Sequence, residues 1–161
     1  MVLGSFPDLC VADVGVSVAF YRSLLGLHVV ADQEWYVELG IDQRTLLALV
    51  QAGHPTVPPD SGAPARGLLV SFDVDELTTH ARAAANMGCP FVVEPVAELG
   101  QRHFMVLDPD GTVVDVIERI PFTRADRERL AGYRRAHRHR HRHRHRHRHR
   151  HRHRHRQGSG R

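Results

Sequence analysis

The chain has 161 residues, 42% of them apolar, and a formal net charge of +4. Residues 1–120 carry 6 Arg and no Lys against 10 Asp and 6 Glu, a formal −10, whereas residues 121–161 carry 16 Arg against Asp126 and Glu128, a formal +14. An acidic body with a basic appendage excludes a basic nucleic-acid-binding domain, and no apolar run approaches the roughly 18 residues that cross a bilayer.

The body has the size of one domain with one core. Its start, MVLGSFPDLC, has neither a basic stretch nor a long apolar run, so no secretory signal is expected. Cys10 and Cys89 each lie in an apolar segment and are expected as buried free thiols, with a cytoplasmic address.

In chain order, Phe6 to Ala12 reads as a strand. Asp13 offers a helix N-cap, Val16, Phe20 and Leu24 recur at helical spacing, and Gly26 closes the helix. Leu27 to Ala31 and Trp35 to Leu39 read as strands, the second placing Trp35, Val37 and Leu39 on one face and Tyr36 and Glu38 on the other. Gly40 to Gln43 is a turn into a strand at Thr45 to Val50. Residues 52–66, with Pro55, Pro58, Pro59 and Pro64, suit neither ladder nor helix and form a linker.

After the linker the pattern restarts. Leu68 to Phe72 is a strand, Asp75 caps a helix with Leu77, Ala81 and Ala84 as its buried stripe, and Gly88 ends it. Phe91 to Val93 is a short strand, Pro95 to Gly100 a loop and His103 to Leu107 a strand. Asp108-Pro109-Asp110-Gly111 is a tight turn and Thr112 to Glu118 the last strand. Asp13 matches Asp75 and Thr45 matches Thr112, so a βαβββ module occurs twice, in 5–51 and 67–119. Thr123-Arg124-Ala125-Asp126 starts a short helix in 121–136. Ten His-Arg pairs then run from His137 to Arg156 inside the segment 137–161, which has too little apolar content to fold.

The tandem modules carry Val11-Ala12-Asp13, Phe20-Tyr21 and Leu25-Gly26 in the first, and Phe72-Asp73-Val74-Asp75, Gly100-Gln101-Arg102-His103-Phe104 and Asp108-Pro109-Asp110-Gly111 with Asp115 in the second. In this order the chain resembles the vicinal oxygen chelate superfamily, which holds glyoxalase I, extradiol dioxygenases, fosfomycin-resistance transferases and bleomycin-binding proteins. The resemblance implies an α+β fold in which the modules curl a mixed sheet into a cup around a pocket. It also implies four metal-ligand positions, two per module. Counted from the helix caps and the last strands, these fall on Phe6, Ala48, Leu68 and Asp115. Only Asp115 has a donor side chain, so no metal and no other cofactor is expected, as in the bleomycin-resistance-like branch.

Candidate site residues follow. Asp115 is either a carboxylate at the pocket floor or a partner of Arg102 or Arg119. His103 either meets Asp115 as an acid–base pair, the two catalytic candidates, or is a hydrogen-bonded core histidine. Trp35 and Tyr36 supply aromatic surface, and with Arg102, His103 and Asp115 they make the expected ligand-binding set. His28, His54 and His80 are isolated and receive no chemistry. The expected function is binding of a hydrophobic or planar small molecule between the modules, as in bleomycin-resistance-type drug binders, in a homodimer of the kind common in the family. A glyoxalase- or dioxygenase-like enzyme using a metal or the Asp/His pair is the alternative. Binding of transition metals or polyanions is open only to His137–Arg156, for which a merely solvated repeat is the other reading.

Overall fold

A computed structural model describes residues 1–59 and 62–133, in two compact units. The first joins Met1–Ala97 to Gln101–Arg119; the second joins Glu98–Gly100 to the segment that starts at Ile120. In chain order the elements are β1 (Asp8–Val11), α1 (Val14–Leu25), β2 (His28–Asp32), β3 (Tyr36–Ile41) and β4 (Arg44–Gln51). They are followed by β5 (Leu69–Val74), α2 (Leu77–Asn86), β6 (Phe91–Glu98), β7 (Gln101–Leu107) and β8 (Val113–Arg119). The strands form two four-stranded sheets, β1-β4-β3-β2 and β5-β8-β7-β6. In each, the opening strand pairs parallel with the last, and the third strand pairs antiparallel with it. This is βαβββ twice, an α+β fold.

Helix α1 forms where its caps dictate. The Asp13 side chain accepts from Val16 N at its start, and Gly26 takes the left-handed conformation (φ 69°) at its end. Its buried stripe is Val14, Ser17, Tyr21 and Leu24, with Phe20 beside it. Val16, expected in that stripe, is 52% exposed, because it sits two residues, about 200° of turn, from Val14.

Helix α2 corrects a second expectation. Its N-cap is Glu76 rather than Asp75: the carboxylate accepts from Thr78 N and Thr79 N, while Glu118 of β8 accepts from Leu77 N. These bonds, led by those with Thr79, hold Glu76 down to a pKa of about 2. Leu77 and Ala84 are buried, as their spacing requires.

Strand β6 is the third correction. It runs for eight residues through Pro95, where a three-residue strand and a loop were expected. It lies at the edge of its sheet, where a nitrogen without hydrogen can face the open side. The turn shrinks to Leu99 and Gly100, both at positive φ (53° and 79°), the geometry that matches the twist of paired strands.

One apolar cluster unites both modules: Leu9, Leu47 and Leu49 from the first sheet and Phe72, Phe104 and Val116 from the second, with Tyr21 and Leu24 of α1 and Leu77 and Ala84 of α2. A polar clasp crosses the same seam. Tyr21 Oη donates to Asp108 Oδ2 at 2.9 Å in a buried position, and Asp108 Oδ1 accepts from Asp110 N and Thr112 N. The Asp110 carboxylate in turn accepts from Ala12 N. Burial, then the negative charge of Asp108, pushes the Tyr21 phenol far above its ordinary range.

In the second unit residues 124–133 are helical. Thr123 and Asp126 form the expected reciprocal cap, and Asp126 also accepts from Leu99 N. The expected continuation to Ala136 and the segment 137–161 lie outside the described residues. Cys10 and Cys89 are half-buried, more exposed than expected. Among the described residues no helix is long and apolar enough to cross a membrane.

Candidate functional site

Alternation along each strand divides the side chains between a helix-packed face and the opposite one. In the second sheet Val70, Phe72, Phe104 and Val116 belong to the core cluster. The register Ser71–Asp115–Met105 and Asp73–Ile117–His103 therefore lies on the other face. There His103 Nδ1 stands 2.9 Å from Asp115 Oδ1, both residues buried, at 5% and 6% exposure. An ionised carboxylate only accepts, so Nδ1 carries the hydrogen, and in a neutral ring the lone pair then lies on Nε2. Such a ring can accept a hydrogen bond or a proton. Of the two readings of Asp115, pairing with an arginine is not the one observed: Arg119 pairs with Asp73 at 2.8 Å and Arg102 with Glu118 at 3.2 Å.

In the first sheet Leu9, Val37, Leu39 and Leu49 face the core. The register Asp8–Ala48–Glu38 and Cys10–Val50–Tyr36 lies on the other face. Thr45 Oγ1 donates to Glu38 Oε2. Burial and the charges of Asp8 and Glu38 push the Tyr36 phenol up to about 12, so it remains a hydrogen-bond donor at neutral pH. Burial and then Glu38 raise Asp8, and burial and then Asp8 raise the Cys10 thiol. Sequence reasoning missed Asp8 and Glu38 as neighbours of Tyr36, although its alternation already put Tyr36 and Glu38 on one side. The parallel β1–β4 pairing that adds Asp8 had no local signal.

The expected ligand set is thus distributed. His103 and Asp115 come together on one sheet and Tyr36 stands on the corresponding face of the other. Arg102 shares a residue row with Val74 and Glu118 on the helix side, because a strand neighbour of His103 must point the opposite way. Trp35 precedes β3, and its ring lies flat on His54 of the linker, with centroids 3.9 Å apart and planes within 2°. His28 meets Asp42 O and His80 meets Leu24 O, both architectural contacts.

The metal positions can be tested against this register. Asp8 opposite Ala48 corresponds to Ser71 opposite Asp115, so the counterpart of Phe6 is Leu69 rather than Leu68, the same one-residue shift as the cap. Phe6, Ala48, Leu69 and Asp115 offer one donor side chain among them, and that one is hydrogen-bonded to His103. A divalent ion needs several oxygen or nitrogen donors, so this set does not fit one. Among the described residues no other cluster of three or more His, Cys, Asp or Glu could hold a metal.

Comparison with known proteins follows the same outline. A sequence search among curated proteins finds no match. Solved structures that resemble the chain include the hypothetical protein SA1046 from S. aureus, at 21% identity and a TM-score of 0.61 over 73% of this chain and 94% of that one. The virulence protein STM3117 from Salmonella typhimurium aligns at 20% identity and a TM-score of 0.60, over 74% and 100%. A lactoylglutathione lyase from Agrobacterium tumefaciens aligns at 20% and 0.56, over 73% and 94%. At these identities the likeness is one of fold. Residues 5–116 match the sequence profile of the Glyoxalase/Bleomycin resistance protein/Dioxygenase superfamily. Two βαβββ modules and a match across most of the chain lead to one conclusion: the protein belongs to that superfamily.

Proposed function

We propose that the protein binds a planar or hydrophobic small molecule, neutral or cationic, on the sheet faces turned away from the helices, without a resident metal. The observation that carries this reading is the buried His103–Asp115 pair. It presents an oriented imidazole beside Met105 and Ile117, a few polar groups in apolar surroundings of the kind that fix a ligand's orientation. Asp8 and Glu38 add negative charge to the corresponding face of the first module, which suits a cationic ligand better than an anionic one. Homodimer formation, a cytoplasmic address and resistance to an aromatic antibiotic belong to the same proposal.

A panel of aromatic and glycopeptide antibiotics, screened by thermal shift on the full chain, tests it. A ligand at ~100 times its dissociation constant adds about 2.7 kcal/mol, and His103→Ala and Tyr36→Ala should each remove most of that gain. A panel without a stabiliser, or stabilisation that survives both substitutions, overturns the proposal.

The hydrogen bond between Asp115 and His103 also favours a second reading, an enzyme in which Nε2 acts as a general base while Asp115 holds the ring and stabilises its protonated form. Turnover of a bound compound that is lost in His103→Ala, with binding retained in Asp115→Asn, would distinguish it from a binding protein.

A further inference from the structure

The stack of Trp35 on His54 is the feature that neither the fold nor the proposed site uses. It joins the start of β3 to the proline-rich linker across 19 positions of sequence. Its geometry, 3.9 Å between centroids and 2° between planes, is that of a planar ring laid on an indole. The other aromatic neighbour of Trp35 is Tyr36, at 5.7 Å and 49°, which shares its sheet face with Asp8 and Glu38. Both Trp35 and His54 are half-buried, so the stack lies where solvent and solutes reach it.

The two rings differ in how they are held. Trp35 is fixed from both sides of its backbone: its N–H donates to Gln33 O and its carbonyl accepts from Gln51 N, at the end of β4. The ring of His54 is tethered by a contact within its own turn, Nδ1 to Thr56 Oγ1 at 2.8 Å. Thr56 N also reaches Nδ1, at 3.4 Å, near the limit of a hydrogen bond. The His54 backbone is held in the same turn, its N–H donating to Gln51 O and its carbonyl accepting from Val57 N. Trp35 therefore belongs to the sheet, whereas the His54 ring can leave the indole by side-chain rotation, giving up its Thr56 contacts but no backbone hydrogen bond.

We propose that His54 is a displaceable plug: its imidazole occupies the indole face on which a planar heteroaromatic ligand stacks, and the ligand enters by exchanging for it. This rests on the small-molecule reading above and adds the ligand's chemical class, a flat aromatic ring bearing positive charge toward Asp8 and Glu38. It also makes the linker a built-in competitor. Every molecule that binds must first overcome the internal stack, so apparent affinity is reduced by the fraction of chains in which the plug is seated.

Trp35 is the only tryptophan in the chain, so its fluorescence reports the exchange directly. The probe is 9-aminoacridine, planar and cationic, titrated into the full chain and into His54→Ala, His54→Phe and Trp35→Ala variants. His54→Ala should bind the probe about two- to tenfold more tightly, the range expected when one stacking competitor is removed. His54→Phe, with a larger ring in the same place, should bind more weakly than the native chain, and Trp35→Ala should lose binding. Equal or weaker binding by His54→Ala, or binding that leaves the Trp35 emission unchanged, overturns the plug. Thermal stabilisation by the probe that depends on His103 but not on Trp35 would overturn the plug alone and leave the small-molecule reading standing. Absence of any stabiliser would instead remove that reading and the plug with it.

Discussion

Tyr21 and Asp108 show how one hydroxyl can govern a seam. The phenol reaches from α1 to the turn before β8 and donates to a carboxylate whose other oxygen already accepts two backbone N–H groups. Replacing Tyr21 by Phe keeps the ring and its packing on Phe72 but leaves buried Asp108 Oδ2 short of this donor. The expected cost is about 1–3 kcal/mol, read as a lower urea midpoint with an unchanged slope. At this scale the sequence was informative where neighbours in space are also close in the chain. His103 and Asp115 flank one tight turn, so a hairpin brings them together. Arg102 was grouped with them although alternation sends it to the other face, where Glu118 holds it. The partners of Tyr21 and Tyr36 come from remote strands, and no local pattern announces such pairings.

Helices and turns follow their punctuation closely, and the departures have identifiable causes. Gly26 and the Asp13 cap fixed α1 in advance. At α2, the pair Asp75-Glu76 offered two carboxylates, and the longer one wins because Glu118 takes Leu77 N and frees the Glu76 oxygens for Thr78 and Thr79. Pro95 suggested a loop, yet an edge strand tolerates it. The cap at Glu76 makes a pH prediction. Its folded pKa lies near 2, below the ordinary 4.5, so the ionised form stabilises the fold. That contribution is fully present above about pH 4.5 and is lost as pH falls through the folded value. Glu76→Gln should melt lower than the native chain at pH 7, and the gap should narrow steadily between pH 4.5 and 2. A gap independent of pH over that window would show that the charge contributes nothing.

For the whole molecule, duplication was legible because both copies kept their caps and turns, but which side chains share the face opposite the helices required the register of both sheets. The charge division has a direct consequence for assays. The described body is acidic, so affinity of the full chain for DNA should come from the His-Arg repeat. The logarithm of that affinity should fall linearly with the logarithm of salt concentration and vanish on deletion of residues 137–161; retention by the shortened chain would refute this. The clasp across the seam carries a different consequence. Helix α2 has Ala84 where α1 has Tyr21, and the shorter turn at Asp42–Gln43 has no counterpart of Asp108. Two first modules would each bring a phenol with no acceptor, and two second modules an acceptor with no phenol. The halves are therefore unlike partners, and a copy of one cannot stand in for the other.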